Sequence, residues 1–555
     1  MAFRLPREIL REIFLELLDE DFPQDLHPCA LVNREWCEVA IPILWLIPMN
    51  SPSWTWKSTL YLRTLLSTIG EESRTLLEKN TIDLSTSPAG TLFNYASYPR
   101  TLGVTNLLLS IDFYLFPNRQ KPMKRDEKDM NQLRLMFKEL CKLFIANCNI
   151  STIEIGESTG IYYSVIDEIS LIPTFPGAKK SLERLTTLSY SNQYSSKITS
   201  MFESMSTFVM NLSSIHSYIM DSSQAMALAK LISTQRKLEH LSLALPTVTD
   251  KLIAGRNLSQ ERDCFVHIFG AVASQKYNLI VLELKNINFR FVPKNSLEGL
   301  ASCSTLQILE LIQCEGLETD QAKALSMSFP LLKNFVFKAS PEIDEKYPDE
   351  FITEIFRTAS NHLEEILLED HTEHTITSIT RYCRNVRKLF LESLEQEQIL
   401  SIFSNCSQLK SISFDCGKGF DANDFLRKMA LCVPKTLEAM EIHMFLRNPW
   451  LFTPESLKIF LESCKCSFKQ LVIQHDLVVN RFYDDSTAPE DVEMTTMDEE
   501  HFNVIKRAGV NLLMTNNIAL DPDKYPDYSG IITIPESTPA SRRVFVSDFY
   551  LVYAY

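Results

Sequence analysis

LQILELIQC, running from Leu306 to Cys314, decides the fold of most of this chain. Apolar residues occupy its first, fourth and sixth places: Leu306, Leu309 and Leu311. Side chains of a strand alternate between its faces. Leu309 and Leu311 therefore share one face, and Ile308, Glu310 and Ile312 share the other. Leu306 leads the chain into the strand, and Cys314 fits as a buried small residue where the chain turns away. The apolar-x-x-apolar-x-apolar pattern starts 13 times, at Val104, Ile150, Leu182, Leu212, Leu238, Leu279, Leu306, Leu332, Leu363, Val386, Leu409, Leu437 and Phe468. The starts lie 23 to 46 residues apart, about 30 on average. The weakest are Leu182 and Leu212, where Thr187 and Ser217 stand at the last apolar place.

Between the starts lie helix-like stretches, among them 319–328, 351–361, 375–383, 395–404, 421–432 and 454–464. One strand and one helix cannot bury their apolar faces alone, but stacked units can share a continuous core. Strand, turn, helix and return at this period resembles the leucine-rich repeat. The expected class is α/β: a solenoid with a curved parallel sheet over residues 101–480.

The first residues have a different texture. Pro6 stands where a helix should begin, and its missing N–H costs nothing there. Ile9, Leu10, Ile13, Phe14, Leu17 and Leu18 form one apolar stripe of a helix of roughly four turns. The acids at Asp19–Asp21 and Pro23 end it. Asp25 can cap a short second helix, with Pro28 in its first turn. Asn33 can cap a third, carrying Trp36, Val39 and Ala40, which Pro42 should stop. Three short helices cannot bury this stripe and two tryptophans among themselves, so an exposed apolar face is expected.

Leu5-Pro6, Glu8-Ile9-Leu10, Ile13-Phe14, Leu17, Asp25-Leu26, Leu31-Val32, Trp36 and the closing Leu44-Trp45 come in the order of an F-box. The segment resembles that adaptor-binding module of cullin-RING ubiquitin ligases over about forty residues. It departs from the pattern in its acidic, slightly long first loop and in Pro28, which shortens the second helix. The resemblance implies that Leu5, Pro6, Ile9, Ile13, Leu26, Val32 and Trp36 pack on a Skp-type adaptor or support that surface. It further implies a substrate-recognition subunit of an SCF-type ligase, joined through the adaptor to a cullin, with the repeats holding a protein substrate.

The expected organisation is an F-box at 1–47, a connecting segment at 48–100, the repeats at 101–480, an acidic flexible insertion at 481–502, and a last repeat with an aromatic C-terminal cap at 503–555. Residues 484–500 hold eight acids and no Lys or Arg and cannot bury a core; with several Ser and Thr they also suit an acidic docking or phosphorylation segment. Composition narrows the function. The chain has 55 Lys and Arg against 70 Asp and Glu, a net charge of −15. Such a balance disfavours nucleic acid and anionic membranes as partners. No apolar run approaches the ~20 residues of a membrane span. The 13 cysteines follow no pairing framework, and residues 1–18 do not read as a signal peptide. Both features point to cytosol or nucleus.

No nucleotide-binding, hydrolase or zinc-protease motif occurs, so no catalytic residue, metal or cofactor is expected. His371 and His374 beside Asp370 read as a polar loop, and Cys464 and Cys466 as a helix end. An enzyme using His371, His374 and scattered cysteines, or a repeat scaffold that recruits no ligase, are the competing classes. The fifth repeat positions offer a candidate substrate surface, because Val336, Leu367 and Phe390 are consecutive and apolar. Glu365, Glu369, Glu392 and Asp415 surround them, with Lys338 and Lys388 interspersed. This band suits a partner segment with an apolar anchor and basic flanks, unless a long loop or the C-terminal tail covers it.

Overall fold

The computed structural model describes residues 5–17, 26–46, 55–84, 91–117, 125–156, 163–191, 197–246, 258–317, 319–326, 329–338, 348–416, 421–445, 452–464, 466, 468–476 and 499–515. Two compact units form, Met1–Leu306 with Cys314–Leu317, and Gln307–Gln313 with Glu318–Tyr555.

The first unit opens with three helices: α1 (Arg7–Glu16), α2 (Leu26–Cys29) and α3 (Arg34–Leu44). Asn33 caps α3, its side chain accepting from the Trp36 amide at 2.9 Å. Contrary to the expectation above, Pro42 does not stop this helix. Proline removes its own N–H bond to the Glu38 carbonyl and crowds that oxygen, yet the helix runs through to Leu44 with Ala40 and Ile43 buried. The four-residue α2 holds Pro28 within its single turn. The capping role of Asp25 falls outside the described residues.

Among the described residues of this unit, six strands follow: β1 (Thr101–Gly103), β2 (Thr152–Ile155), β3 (Thr187–Tyr190), β4 (Ser214–Tyr218), β5 (His240–Ala244) and β6 (Val281–Lys285). Each pairs in parallel with the next, and Thr152, Thr187, Ser214, His240 and Val281 stand side by side. Two expectations are corrected here. VTNLLL is not a strand: Val104–Leu115 is a helix, with Val104, Leu107, Leu108 and Ile111 buried. Spacings of three and four fit a helix face as well as a repeat start, and the apolar run continues too long for a strand. The Leu182 start is shifted by three residues. Leu182 caps the helix Ala178–Ser181, and Leu185, Leu188 and Tyr190 take the three buried places. Ser217, in contrast, is buried where its pattern predicts an inward side chain.

The second unit holds β7 (Ile308–Ile312), β8 (Asn334–Lys338), β9 (Glu365–Leu368), β10 (Lys388–Leu394), β11 (Ser411–Cys416), β12 (Ala439–Phe445), β13 (Gln470–Asp476) and β14 (Asn511–Thr515). All pair in parallel in chain order. The register shifts between β10 and β11 beyond Leu391, but the first rung is shared: Ile308, Asn334, Glu365, Lys388, Ser411, Ala439, Gln470 and Asn511 align. One carbonyl per repeat holds that register. The amides of Lys333 and Asn334 both donate to Gln307, those of Glu364 and Glu365 to Lys333, and those of Arg387 and Lys388 to Glu364, at 2.7–3.0 Å. The second repeat position therefore spends its carbonyl on the next strand and leaves its side chain free to be polar. Leading residues Leu332, Leu363, Val386, Leu409 and Leu437 are all buried.

Helices between the strands cover the other side of the buried positions, as in Asp349–Ala359, which buries Phe351, Ile352, Ile355 and Phe356. The structure is thus α/β, with N-terminal helices followed by parallel strands alternating with helices in leucine-rich-repeat fashion. Cys314 is buried, as its place in the repeat predicts, and its thiol donates to the Leu284 carbonyl at 3.2 Å. Gly316 follows at φ +68°, where a Cβ would stand 2.8 Å from the Arg290 amide nitrogen. Only glycine suits that turn. Most of the acidic segment and the aromatic terminus lie outside the described residues, although Glu499–Arg507 is helical. No described helix is long and apolar enough to cross a membrane.

Candidate functional site

The apolar stripe of the first helix divides into two faces. Leu10 and Phe14 turn inward and build a small core with Leu26, Ala30, Ala40 and Ile43. Phe14 meets the Trp36 ring edge-to-face at 5.2 Å. Ile9, Ile13 and Leu17, spaced at i, i+4 and i+8, lie on the other face and are exposed, with Leu5 continuing the row. Ile9 keeps 47% of its surface open and Leu5 44%. Leu31, 75% exposed, and Val32 are open as well, at the turn that closes α2. Six of the fifteen exposed large apolar residues among the described residues thus fall within residues 5–32.

A charged clasp keeps the helices that carry this face in place. Arg7 of α1 and Arg34 of α3 both reach Glu38, at 2.5 and 3.1 Å. The hydrogen bond from Arg34, and then that from Arg7, hold the Glu38 carboxyl below its ordinary value. At the opposite end, the Trp45 ring lies 4.4 Å from both the Tyr61 and Tyr95 rings. The Arg100 amide donates to the Leu46 carbonyl at 3.0 Å.

Of the residues expected to serve the docking face, Leu5, Pro6, Ile9, Ile13 and Val32 are exposed together. Leu26 is fully buried and Trp36 half-buried, so these two support the face from below. Leu17 and Leu31 belong to the exposed set as well, although sequence reasoning gave them no contact role. Their signal was present in the i+8 spacing and in the Leu31-Val32 pair that a one-turn helix leaves outside.

Residues 2–46 match the family model described as F-box-like. The match covers under a tenth of the chain. No curated protein matches this sequence. Among solved structures, the chain is similar to the leucine-rich repeat-containing protein LegL7 from Legionella pneumophila, at 12% identity and a TM-score of 0.32, over 56% of this chain and 93% of that one. The chain thus carries an F-box-like segment ahead of the parallel strands and alternating helices described above.

The repeat band differs from its expectation. Val336, Leu367 and Phe390 do stand side by side across β8, β9 and β10, but Leu367 is only 6% exposed. Val336 and Phe390 are half-buried. A row of three open apolar side chains is thus corrected to two partly covered residues about a buried centre. Two of the surrounding acids are occupied too. Lys388 reaches Glu365 at 2.6 Å, and Asn334 donates to the other Glu365 oxygen at 3.0 Å. Lys338 reaches Glu369 at 3.0 Å. Glu392 offers its main-chain carbonyl, not its carboxylate, to His371 Nε2 at 2.6 Å. The Asp415 side chain falls outside the described residues.

Cys464 caps the helix Pro454–Ser463, as expected of a helix end. Hydrogen bonding from Cys464 brings the Cys466 thiol down to about 7. Burial instead pushes Cys148 and Cys406 up to about 12, which leaves these thiols protonated and inert at neutral pH.

Proposed function

We propose that this chain is the substrate-recognition subunit of an SCF-type cullin-RING ubiquitin ligase. Its F-box-like segment docks a Skp-type adaptor and, through it, a cullin. The repeats hold a protein substrate, and the chain performs no catalysis itself. Its contribution is effective concentration: substrate lysines are kept beside the ubiquitin-charged enzyme. Such a protein works in the cytoplasm or nucleus.

One observation carries the reading. Leu5, Ile9, Ile13 and Leu17 form an open apolar row along the first helix, and Leu31 and Val32 stand open after α2, while the core of these helices, Leu10, Phe14, Leu26 and Ala40, is buried without them. Fully burying a large aliphatic side chain is worth about 1.5–3 kcal/mol. Covering this half-open set thus supplies on the order of 5 kcal/mol towards a complex. A competing reading, a repeat scaffold whose N-terminal helices merely cap it, draws on Trp45 between Tyr61 and Tyr95. That contact uses the far end of α3 and leaves the exposed face unused.

The test is co-purification of the full chain with a Skp-type adaptor, against Ile9→Asp/Ile13→Asp. Stoichiometric binding by the native chain is expected, weakened at least about 100-fold in the variant, the equivalent of two buried isoleucines. Absence of binding by the native, folded chain would leave the scaffold reading in its place. No repeat residue is assigned to substrate contact, since Leu367 is buried and Glu365 and Glu369 are paired.

A further inference from the structure

Three neighbouring strands of the first unit bring His216, His240 and Glu283 together on the sheet face turned away from the helices. They come from β4, β5 and β6, and one ligand atom of each lies within 4.8 Å of the other two. His216 aligns with Ser242 and Glu283 across the strands, and His240 stands one rung earlier, beside Ser214. The two imidazoles meet edge-to-face at 4.5 Å. Glu283 Oε1 lies 2.9 Å from His240 Nε2.

The groups behind these three are arranged as supports. Ser214 Oγ lies 2.9 Å from His216 Nε2, which leaves Nδ1 as the nitrogen available to a ligand. Ser242 Oγ donates to Glu283 Oε2 at 2.7 Å, and Lys285 Nζ stands 3.4 Å from the same oxygen. The outer carboxylate oxygen is thereby fixed, and Oε1 faces the imidazoles. Metal ligands of this kind are held in the same way, by hydrogen bonds to their far atoms.

We propose that His216, His240 and Glu283 form a binding site for a divalent transition ion of the zinc class, with water as the fourth ligand. Two imidazoles and one carboxylate suit such an ion and disfavour magnesium or calcium, which take oxygen ligands. Bonds of ~2.0 Å in a tetrahedron separate ligand atoms by ~3.3 Å. His240 and Glu283 need open only slightly from 2.9 Å to admit it. All three side chains are half-buried, so one side of the site stays reachable by solvent. The bound ion ties β4, β5 and β6 together and replaces the contact between His240 and Glu283. Lys285 opposes binding by its charge.

The experiment titrates the full metal-free chain with Zn²⁺ and with Co²⁺ under reducing conditions. One equivalent of Co²⁺ is expected to give a tetrahedral visible spectrum without a thiolate charge-transfer band, and Zn²⁺ should displace it. His216→Gln should weaken binding at least about 100-fold, since even loss of a supporting residue such as Ser242 costs ~10–100-fold. Zn²⁺ should also raise the unfolding midpoint of the native chain and not that of His216→Gln. Ser242→Ala removes no ligand, so its weaker but measurable binding covers the case of a His216 variant that fails to fold. Lys285→Met should bind more tightly than the native chain. A charge-transfer band lost on cysteine blocking, or equal binding by native and His216→Gln protein, overturns the proposal, as does no binding at all.

Discussion

The N-terminal helices and the repeat sheet both carry apolar residues on a face away from their cores, yet they treat them in opposite ways. On α1 the core residues Leu10 and Phe14 are buried, and Ile9, Ile13 and Leu17 are left open. On β8 to β10 the comparable apolar residues are covered or half-covered, and the charges around them are paired among themselves. An apolar side chain at an outward repeat position is therefore a weak sign of a binding site. Parallel strands bring outward residues of successive repeats into direct contact, so Leu367 is shielded by Val336 and Phe390 on either side. A lone amphipathic helix has no such neighbours for its second face.

The sharpest way to break this contrast is to mutate the two faces of α1 separately. Phe14→Ala should cost about 3–5 kcal/mol, as removal of a buried aromatic does, and release residues 5–46 to proteolysis. Ile9→Asp/Ile13→Asp should change stability by no more than about 0.5 kcal/mol per site, as read by thermal unfolding. If the two variants unfold alike, the exposed face belongs to the core and the contrast fails. In the repeats, Gly316→Ala should cost about 1–3 kcal/mol, the range for a side chain forced into left-handed backbone, with a further penalty from the Arg290 amide. Urea midpoints of native and variant protein measure it.

Pairing on the sheet face should matter far less. Lys388→Met removes the partner of Glu365, and an exposed pair of this kind is worth about 0–1 kcal/mol. The smallest effect concerns the clasp at Glu38. Its carboxyl titrates below the unfolded value because Arg34 and Arg7 bond to it. Its contribution is present at neutral pH and is lost as the pH falls through the acid range. Unfolding midpoints of native and Glu38→Gln protein should converge as the pH is lowered from 7 towards 3, more clearly at low salt.

Much of this was legible in the chain. Eleven of the 13 repeat starts carry a strand at the expected register, because a leading Leu followed by alternation leaves little choice. The failures have physical causes. At Val104 a helix satisfies the same spacing. At Leu182 a helix end supplied a leucine three residues early. The strand at Asn511 escaped the pattern because Gly509 stands at its leading place. The exposed apolar row was readable as a stripe, but its division into inner and outer residues depends on where α2 and α3 lie. The cluster of His216, His240 and Glu283 was invisible, for its members come from three repeats and none sits in a local motif. Only the register of β4, β5 and β6 joins them.

Trp45, whose ring lies 4.4 Å from those of both Tyr61 and Tyr95, bears on how freely the N-terminal helices can turn. A module hung on a loose tether samples many bearings and lets any lysine within reach be modified. A module whose last helix is packed by three rings has less freedom to swivel at that point. Under the receptor role proposed above, such a joint would act as a ruler rather than a leash: which lysine is modified would be set by where it lies on the cargo, not by how long the encounter lasts.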